Sequence, residues 1–432
     1  MSTTETATAV PGVTPGGPAQ GEGALVRLAI AFTVWAERWF PDAFIFVAIA
    51  VVVVSLGALV NGATPLAVSE AFGNGFWSLI IFTMQMAFIV IGGYVVATSA
   101  PAQSLIRSLA GLPKTGTTAV GLVAAASMLA SLLNWGFSLI VGGLLVRALA
   151  ERRELNMDYR AAGAAAYLGL GATWAMGLSS SAAQLQANPA SLPKPLLAIT
   201  GVIPFTETIF MWQSFVVTAV LLIISFIIAV WSAPGPSTSM TAEAMGIEVT
   251  REEAIDVAPQ KPGDWLEYSP LLTILLALLA CGWLYYEFSR QSAILAISNL
   301  NTYNFLFVMA GLLLHWRPKR FLAAVAKAVP ATSGVLIQFP LYGAIAAILT
   351  QAKNGAGVTL SDQISHAFVS ISTQHLYPLV IGIYSAILGF FIPSGGGKWL
   401  LEAPYVMQAA NDLKVHLGWA VQVYTQPKRY RT

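Results

Sequence analysis

Charge is the scarcest property of this chain. Only 10% of its 432 residues are Asp, Glu, Lys or Arg, against roughly 25% in a soluble domain, so a globule of this size could not cover itself with hydrophilic side chains. A surplus of one sign is lacking as well: 22 Lys and Arg against 20 Asp and Glu leave +2, which excludes a nucleic-acid binder. Cysteine occurs once, as Cys281 inside an apolar run, and this excludes a disulfide scaffold and a cysteine metal site. The ten-residue alternating segments of a membrane β-barrel are missing too. What fills the chain is apolar, at 56% of residues with 12 Trp and 21 Phe. Disorder is thereby excluded over most of the length, and the composition reads as an all-α polytopic membrane protein.

Uncharged runs locate the crossings, since about 20 apolar residues cross the hydrocarbon. They predict spans near 42–62, 76–99, 160–185, 205–232, 266–288, 297–316 and 331–352. Residues 1–22, rich in Ser, Thr, Pro and Gly, read as a disordered tail and not as a cleavable signal. Residues 23–40 read as an amphipathic surface helix. The polar segment 233–265, a cytoplasmic loop in this reading, divides the chain. It leaves 23–232 as a first repeat, 266–424 as a linking helix with an incomplete second repeat, and 425–432 as an atypical basic tail.

Two apolar stretches fit no single span. Residues 115–150 and 376–410 are each too long for one crossing at 1.5 Å per residue and short for two. Each has a centre that weakens a helix: Asn134-Trp135-Gly136 in the first, Pro393-Ser394-Gly395-Gly396-Gly397 in the second. Lys114 at one end of the first stretch and Arg147, Arg152 and Arg153 at the other place both ends on one side, as a re-entrant hairpin would. Two short helices with an ordinary turn are the alternative. With both stretches re-entrant, the basic residues sort by side. Fourteen, from Arg27 to Lys327, fall in segments assigned to the cytoplasm, and four, Lys194, Arg290, Lys353 and Lys414, fall outside, which makes the amino terminus cytoplasmic. A repeat follows from the same layout. Gln85 in Met84-Gln85-Met86 and Gln338 in Ile337-Gln338-Phe339 each lie in a helix ahead of a hairpin. Five crossings separate the copies, an odd number, so the second is inverted. Inverted repeats with interrupted helices are the signature of secondary transporters, with substrate and ions bound near the midplane.

Three segments carry the candidate chemistry. Consecutive Gly395, Gly396 and Gly397 cost a helix roughly 1 kcal/mol each, and make sense where backbone must bend and expose its polar groups to a small ligand. A helix starting at Lys398 would aim positive partial charge at an anion, and Lys398 and Glu402 stand one turn apart. A tight turn with a lysine that snorkels to water is the plainer reading. Asn134, Trp135 and Gly136 hold the matching place in the first copy, although Asn in a bundle is often only glue between helices. Gly177 with Ser179, Ser180 and Ser181, in the middle of a span, predicts a broken helix whose hydroxyls line a site, or serines that only bend it. The four histidines share no metal-like spacing, no nucleophile has an evident base, and no nucleotide-binding loop is present, so an enzyme is not indicated.

Phe76-Trp77, Met84-Gln85-Met86-Ala87, Ser99-Ala100-Pro101, Asn134-Trp135-Gly136-Phe137, Ala310-Gly311 through His315, and above all Ile392 to Gly397 with Trp399 and Pro404 carry a resemblance. Over about residues 24–424 the chain resembles the bacterial short-chain fatty acid transporters, the acetoacetate and butyrate carriers. The resemblance implies a multi-pass inner-membrane secondary carrier for small monocarboxylates, homodimeric and moving as an elevator, with no cofactor beyond a candidate bound Na+. It also implies that Asn134, Trp135 and Gly136 form one hairpin tip, Ser394 to Gly397 the other, and Gly177 to Ser181 the first broken helix. A related organic-anion or dicarboxylate carrier and a non-transporting membrane protein are the alternatives. Coupling to H+ would fall to Glu402, and coupling to Na+ to carbonyls at Asn134 and Gly395. After Tyr424 the last residues do not resemble the family, and the second copy has no crossing after its hairpin. The expectation is therefore a shortened chain lacking part of its site.

Overall fold

The computed structural model describes residues 35, 38–249, 261–392 and 395–425. The tail at 1–22, most of the stretch 23–40, residues 250–260, Ser394 and residues 426–432 lie outside the described residues, so the expectations for them stay as stated.

All regular structure among the described residues is helical. The first half runs through α1 (Ala43–Val60), α2 (Pro65–Ser78), α3 (Ile80–Ala97), the short α4 (Ala100–Ala110), and the pair α5 (Gly116–Leu133) and α6 (Trp135–Ala150). It continues with α7 (Tyr159–Leu168), an irregular stretch, α8 (Ser181–Ala187), α9 (Lys194–Thr200) and α10 (Trp212–Ser232). The second half holds α11 (Leu271–Arg290), α12 (Leu300–His315), α13 (Pro318–Ala328) and α14 (Ser333–Gln351). It ends in α15 (Leu360–Ile371), the pair α16 (Tyr377–Phe391) and α17 (Gly395–Asp412), and α18 (Leu417–Thr425).

Six described helices, counting α13 and α14 as one continuous rod, are long and apolar enough to cross a membrane. Two of the predicted spans come out differently. The span at 76–99 is two helices that meet at Leu79, where the Ser78 hydroxyl turns back to donate to the Gly75 carbonyl (2.6 Å). The span at 205–232 starts only at Trp212, because Gly201 at φ 62° and Pro204 break the chain before it; no residue but glycine adopts that backbone readily. The span at 160–185 is interrupted, as its Gly and Ser content predicts.

Local signals set the helix ends. Thr115 and Thr118 close a capping box on α5, Thr359 and Asp362 do so on α15, and the Asp158 carboxylate accepts from the Ala161 N–H to start α7. Each such cap is worth about 1 kcal/mol. Helices α10 and α11 leave apolar side chains such as Phe215, Ile223 and Leu279 exposed along their length, which is the surface that lipid covers.

The two halves share an order: α3, α4 and the pair α5/α6 answer to α14, α15 and the pair α16/α17. Their packing corresponds as well. Helix α3 lies against α6 as α14 lies against α17, and α4 packs on α6 as α15 packs on α17. The main core is centred on α17 and takes in Phe82, Met86 and Ile89 of α3, Ala182 and Leu185 of α8, and Tyr303 of α12.

Helix α2 crosses α14 at Gly75, where a Cβ would come within 2.7 Å of the Gly343 carbonyl oxygen and 2.8 Å of Ala344 Cα. At Gly73, on the same helix, a Cβ meets nothing within 4 Å. Gly75→Ala is therefore expected to destabilise by about 1–3 kcal/mol through overpacking, while Gly73→Ala gains up to about 1 kcal/mol of helix propensity. Thermal unfolding of the two variants in detergent reads the difference, and equal midpoints would count against this crossing.

Candidate functional site

The site grows from a break between α5 and α6. Asn134 adopts an extended backbone (φ −152°, ψ 124°) that ends α5, and its side-chain oxygen accepts from the Phe137 N–H at 2.9 Å to start α6. One buried residue thus stops one helix and caps the next. Gly136 lets this tip lie on α3, since a Cβ there would stand 3.0 Å from the Ile89 carbonyl oxygen.

A second break faces the first. After α7 the chain passes through a wide turn at Gly169–Thr173, a tight turn at Trp174–Met176 and an extended Gly177 before α8. Hydroxyls replace the lost helical bonds: Ser131 and Thr173 meet at 2.7 Å, and the Gly169 N–H donates to Ser127 Oγ at 2.8 Å. At Gly177 a Cβ would come within 2.6 Å of Leu132 Cα, so only glycine admits this approach. Two further bonds tie the breaks together. The Leu178 N–H donates to the Leu132 carbonyl at 2.8 Å, and the Trp135 N–H donates to Ser179 Oγ at 2.9 Å.

The glycines that open α17 reach the same interrupted segment. A Cβ on Gly396 would meet Ser181 Cβ at 3.0 Å and the Phe339 ring at 3.3 Å, and a Cβ on Gly397 would fall on the Tyr342 ring. Ser179 therefore touches the first tip, Ser181 touches the second, and Ser180 lies between them in the chain. Ser180 Oγ is buried with no protein partner, as are Gln184 Oε1, Gln186 Nε2 and Asn188 Nδ2 further along. Buried polar atoms are rarely left so, because each costs about 1–3 kcal/mol.

Asn134, Trp135, Gly136, Ser179, Ser180, Gly396 and Gly397 are thus gathered around one segment, with Gly395 at the first turn of α17. Lys398 and Glu402 are placed elsewhere, inside the α16/α17 pair. The Lys398 ammonium donates to the carbonyl and to the hydroxyl of Ser385 on α16, both at 2.5 Å, and the Ser385 hydroxyl approaches Glu402 at 3.5 Å. Lys398 and Glu402 are fully buried, and Tyr377, Tyr384 and Tyr405 stand around the carboxylate.

Sequence reasoning missed several neighbours and placed Gln85 only as a repeat position. Tyr303 of α12 donates to the Leu133 carbonyl at 2.5 Å beside Asn134 and Ser179. Gln85 of α3 accepts from Ser191 at 2.6 Å and donates to Asn301 at 2.9 Å. The polar run Gln184, Gln186, Asn188 and Ser191 was a usable signal, as was the cluster Asn299, Asn301 and Asn304 in an apolar helix. Tyr342 carried none.

Comparison with known proteins agrees in kind. A family model described as short chain fatty acid transporter matches residues 24–430. A relative from Escherichia coli (strain K12) is 34% identical over 401 residues, covering 91% of this chain and 87% of its own. One from Haemophilus influenzae is 29% identical over 399 residues with the same coverage. Both carry short-chain fatty acid transporter as a provisional name. Among solved structures, the Alcanivorax borkumensis YdaH transporter, described as having an unusual topology, superposes with a TM-score of 0.51 at 14% identity, over 89% of this chain and 87% of that one. At that identity the likeness is one of fold alone.

The contact at Gly397 can be tested directly. Gly397→Ala is expected to lower the unfolding midpoint, because the ring of Tyr342 cannot yield without moving α14, at a cost of about 1–3 kcal/mol. In a Tyr342→Ala background, which removes the ring at its own cost, Gly397→Ala should cost less than it does in the parent. A Gly397→Ala protein as stable as the parent would show that the second tip does not rest on α14.

Proposed function

The chain belongs to the short-chain fatty acid transporter family, and from that premise we propose that it carries small monocarboxylates of the acetoacetate and butyrate kind across the bacterial inner membrane, coupled to an ion gradient. The family is one of transporters and not of enzymes. The observation that carries the reading is the placement of one interrupted helix between two helix-pair tips, with Ser180 Oγ buried and unpartnered between the two contacts. Non-helical backbone at membrane depth is tolerated only where it is buried in protein or lines a cavity, and transporters use it to hold substrate.

In this reading the substrate carboxylate takes hydrogen bonds from backbone N–H groups and hydroxyls of the tips. The segments 134–136, 177–181 and 395–397 contain no Lys or Arg, and the Lys398 ammonium is engaged on Ser385. A site with so little positive charge suits a single carboxylate better than two. The pairs α5/α6 and α16/α17 re-enter from opposite sides, the halves are inverted repeats, and transport follows an elevator movement of a homodimer with the amino terminus in the cytoplasm. The matched order and packing of the two halves support the repeat, and the sorting of basic residues supports the orientation. Of the two coupling ions, H+ is favoured by Glu402. A fully buried carboxylate next to a hydroxyl and three phenols can take and release a proton without moving an ion, and ionisable groups inside a membrane commonly form proton relays.

Proteoliposomes loaded for butyrate counterflow and for uptake driven by a pH gradient separate these points. The parent protein is expected to show both. Glu402→Gln should keep counterflow and lose accumulation by at least about tenfold, since one charge state of the relay is fixed. Absence of counterflow in the parent would sink the carrier reading, and accumulation driven by Na+ alone would remove Glu402 from the coupling step.

A further inference from the structure

Proton coupling at Glu402 leaves its neighbour Lys398 without a task. The two side chains stand four residues apart on α17, so they share a face of the helix, and each is 0% exposed. The facing stripe of α16 holds the ammonium. Ser385 offers it a carbonyl and a hydroxyl, each at 2.5 Å. One turn on, Gly389 presents no side chain, and a Cβ there would already stand 3.5 Å from Lys398 Nζ. The Ser385 hydroxyl also approaches Glu402 at 3.5 Å, the phenols of Tyr377, Tyr384 and Tyr405 stand around the carboxylate, and the carboxylate acts on the ammonium through its charge.

Helix α17 packs against α8, α9, α14, α15, α16 and α18. Among the described residues of these helices, the other charged side chains and the histidine are exposed: Lys194 on α9, Asp362 and His366 on α15, and Asp412 at the end of α17. Lys398 and Glu402 therefore form a buried unit of two opposite charges. Gly395, Gly396 and Gly397 directly precede Lys398 in the same helix, so a carboxylate held at that tip adds its charge beside the unit.

Net charge then decides which states cross the membrane, because a balanced buried pair is far cheaper to carry than a single unmatched charge. With the lysine protonated and the glutamate ionised, the empty unit sums to zero. A proton on Glu402 alone leaves +1, and a monocarboxylate alone leaves −1. Both together return the sum to zero. We infer, on the premise that Glu402 couples a proton as proposed above, that Lys398 is the counter-charge that makes this coupling obligatory, with one proton carried per monocarboxylate in an electroneutral cycle. The proton joins the Glu402 carboxylate on the side where substrate enters and leaves on the side of release, so no charge stays behind. The +1 state does not cross, which opposes a proton leak in the absence of substrate. A dicarboxylate with one proton would leave the unit at −1, so the same count selects a single carboxylate.

Proteoliposomes in which the pH gradient and a potassium–valinomycin potential are set independently provide the test, with labelled butyrate as probe and protein-free vesicles subtracted. In the parent, accumulation should follow the pH gradient and should not change when a potential of either sign is added. One charge moved per cycle would instead shift the accumulation ratio about fiftyfold per 100 mV. Such a shift, from a second proton or from the anion crossing alone, would overturn the proposal and leave the carrier reading intact. No response to the pH gradient, or accumulation driven by Na+ alone, would remove the premise and the proposal with it. Lys398→Gln gives a second readout. Without its counter-charge Glu402 is carried as the neutral acid, so the loaded unit holds −1. Counterflow should fall at least about tenfold below that of Glu402→Gln, whose loaded unit is neutral. The double variant should match Lys398→Gln, because the acid is neutral in both. The uptake that remains in Lys398→Gln should gain voltage dependence, which a packing fault alone does not confer. A Lys398→Gln protein that accumulates butyrate with the pH gradient as the parent does, without response to potential, would overturn the proposal. The parent measurement stands whether or not the variants fold.

Discussion

Two hydrogen bonds hold the centre of this molecule together: the Leu178 N–H on the Leu132 carbonyl and the Trp135 N–H on the Ser179 hydroxyl. A membrane helix that breaks must find partners for the backbone groups it frees, because lipid offers none. Here two breaks satisfy each other. The end of α5 and the start of α6 supply one carbonyl and one N–H, and the segment between α7 and α8 supplies the complements. The hydroxyls of Ser127, Ser131 and Thr173 extend the same exchange down the side of α5. Removing either break would orphan the other, so the two are best seen as one feature.

Close backbone approach is the second consequence. Hydroxyl and peptide groups exchange bonds only if helices come nearer than ordinary side chains allow, and this is where the glycines fall. Gly136 and Gly177 stand where a Cβ would strike a neighbouring main chain, and Gly397 where it would strike the Tyr342 ring. Phe82, Phe339 and Tyr342 form a tilted aromatic run across α3 and α14, and the Phe339 and Tyr342 rings lie against Gly396 and Gly397. Gly143 and Gly163 follow another logic. Among the described residues a Cβ on either would meet nothing within 4 Å, so a glycine in a membrane helix is not by itself a sign of tight packing.

The buried charges are kept apart from the tips. Lys398 and Glu402 sit one turn apart within the second helix pair and share Ser385. A buried charge is expensive unless it is paired and hydrogen-bonded, and the carbonyl and hydroxyl of Ser385 accept from the Lys398 ammonium in that way. Their position just beyond Gly397 joins a titratable centre to the glycines of the second tip through a single helical turn.

Much of this was legible in the residue order. Scarce charge and long apolar runs set the class, since no other solvent than lipid suits such a surface. Asn134 and Gly177 marked two breaks, because those residue types cannot continue a helix without loss, whereas Gly395, Gly396 and Gly397 form the first turn of α17. Other features depended on contacts between segments remote in the chain. That Ser179 meets the first tip and Ser181 the second, that Lys398 turns inward to Ser385, and that Tyr303 and Gln85 border the site are all matters of helix rotation. Periodicity is silent on rotation where both faces of a helix are apolar, as they are at α3, α12 and α14. Sequence alone determined that the protein is an α-helical membrane protein and that its helices give way at Asn134 and Gly177. Tertiary structure decided which broken ends face one another, because only packing at backbone contact selects the partner for each freed hydrogen-bonding group.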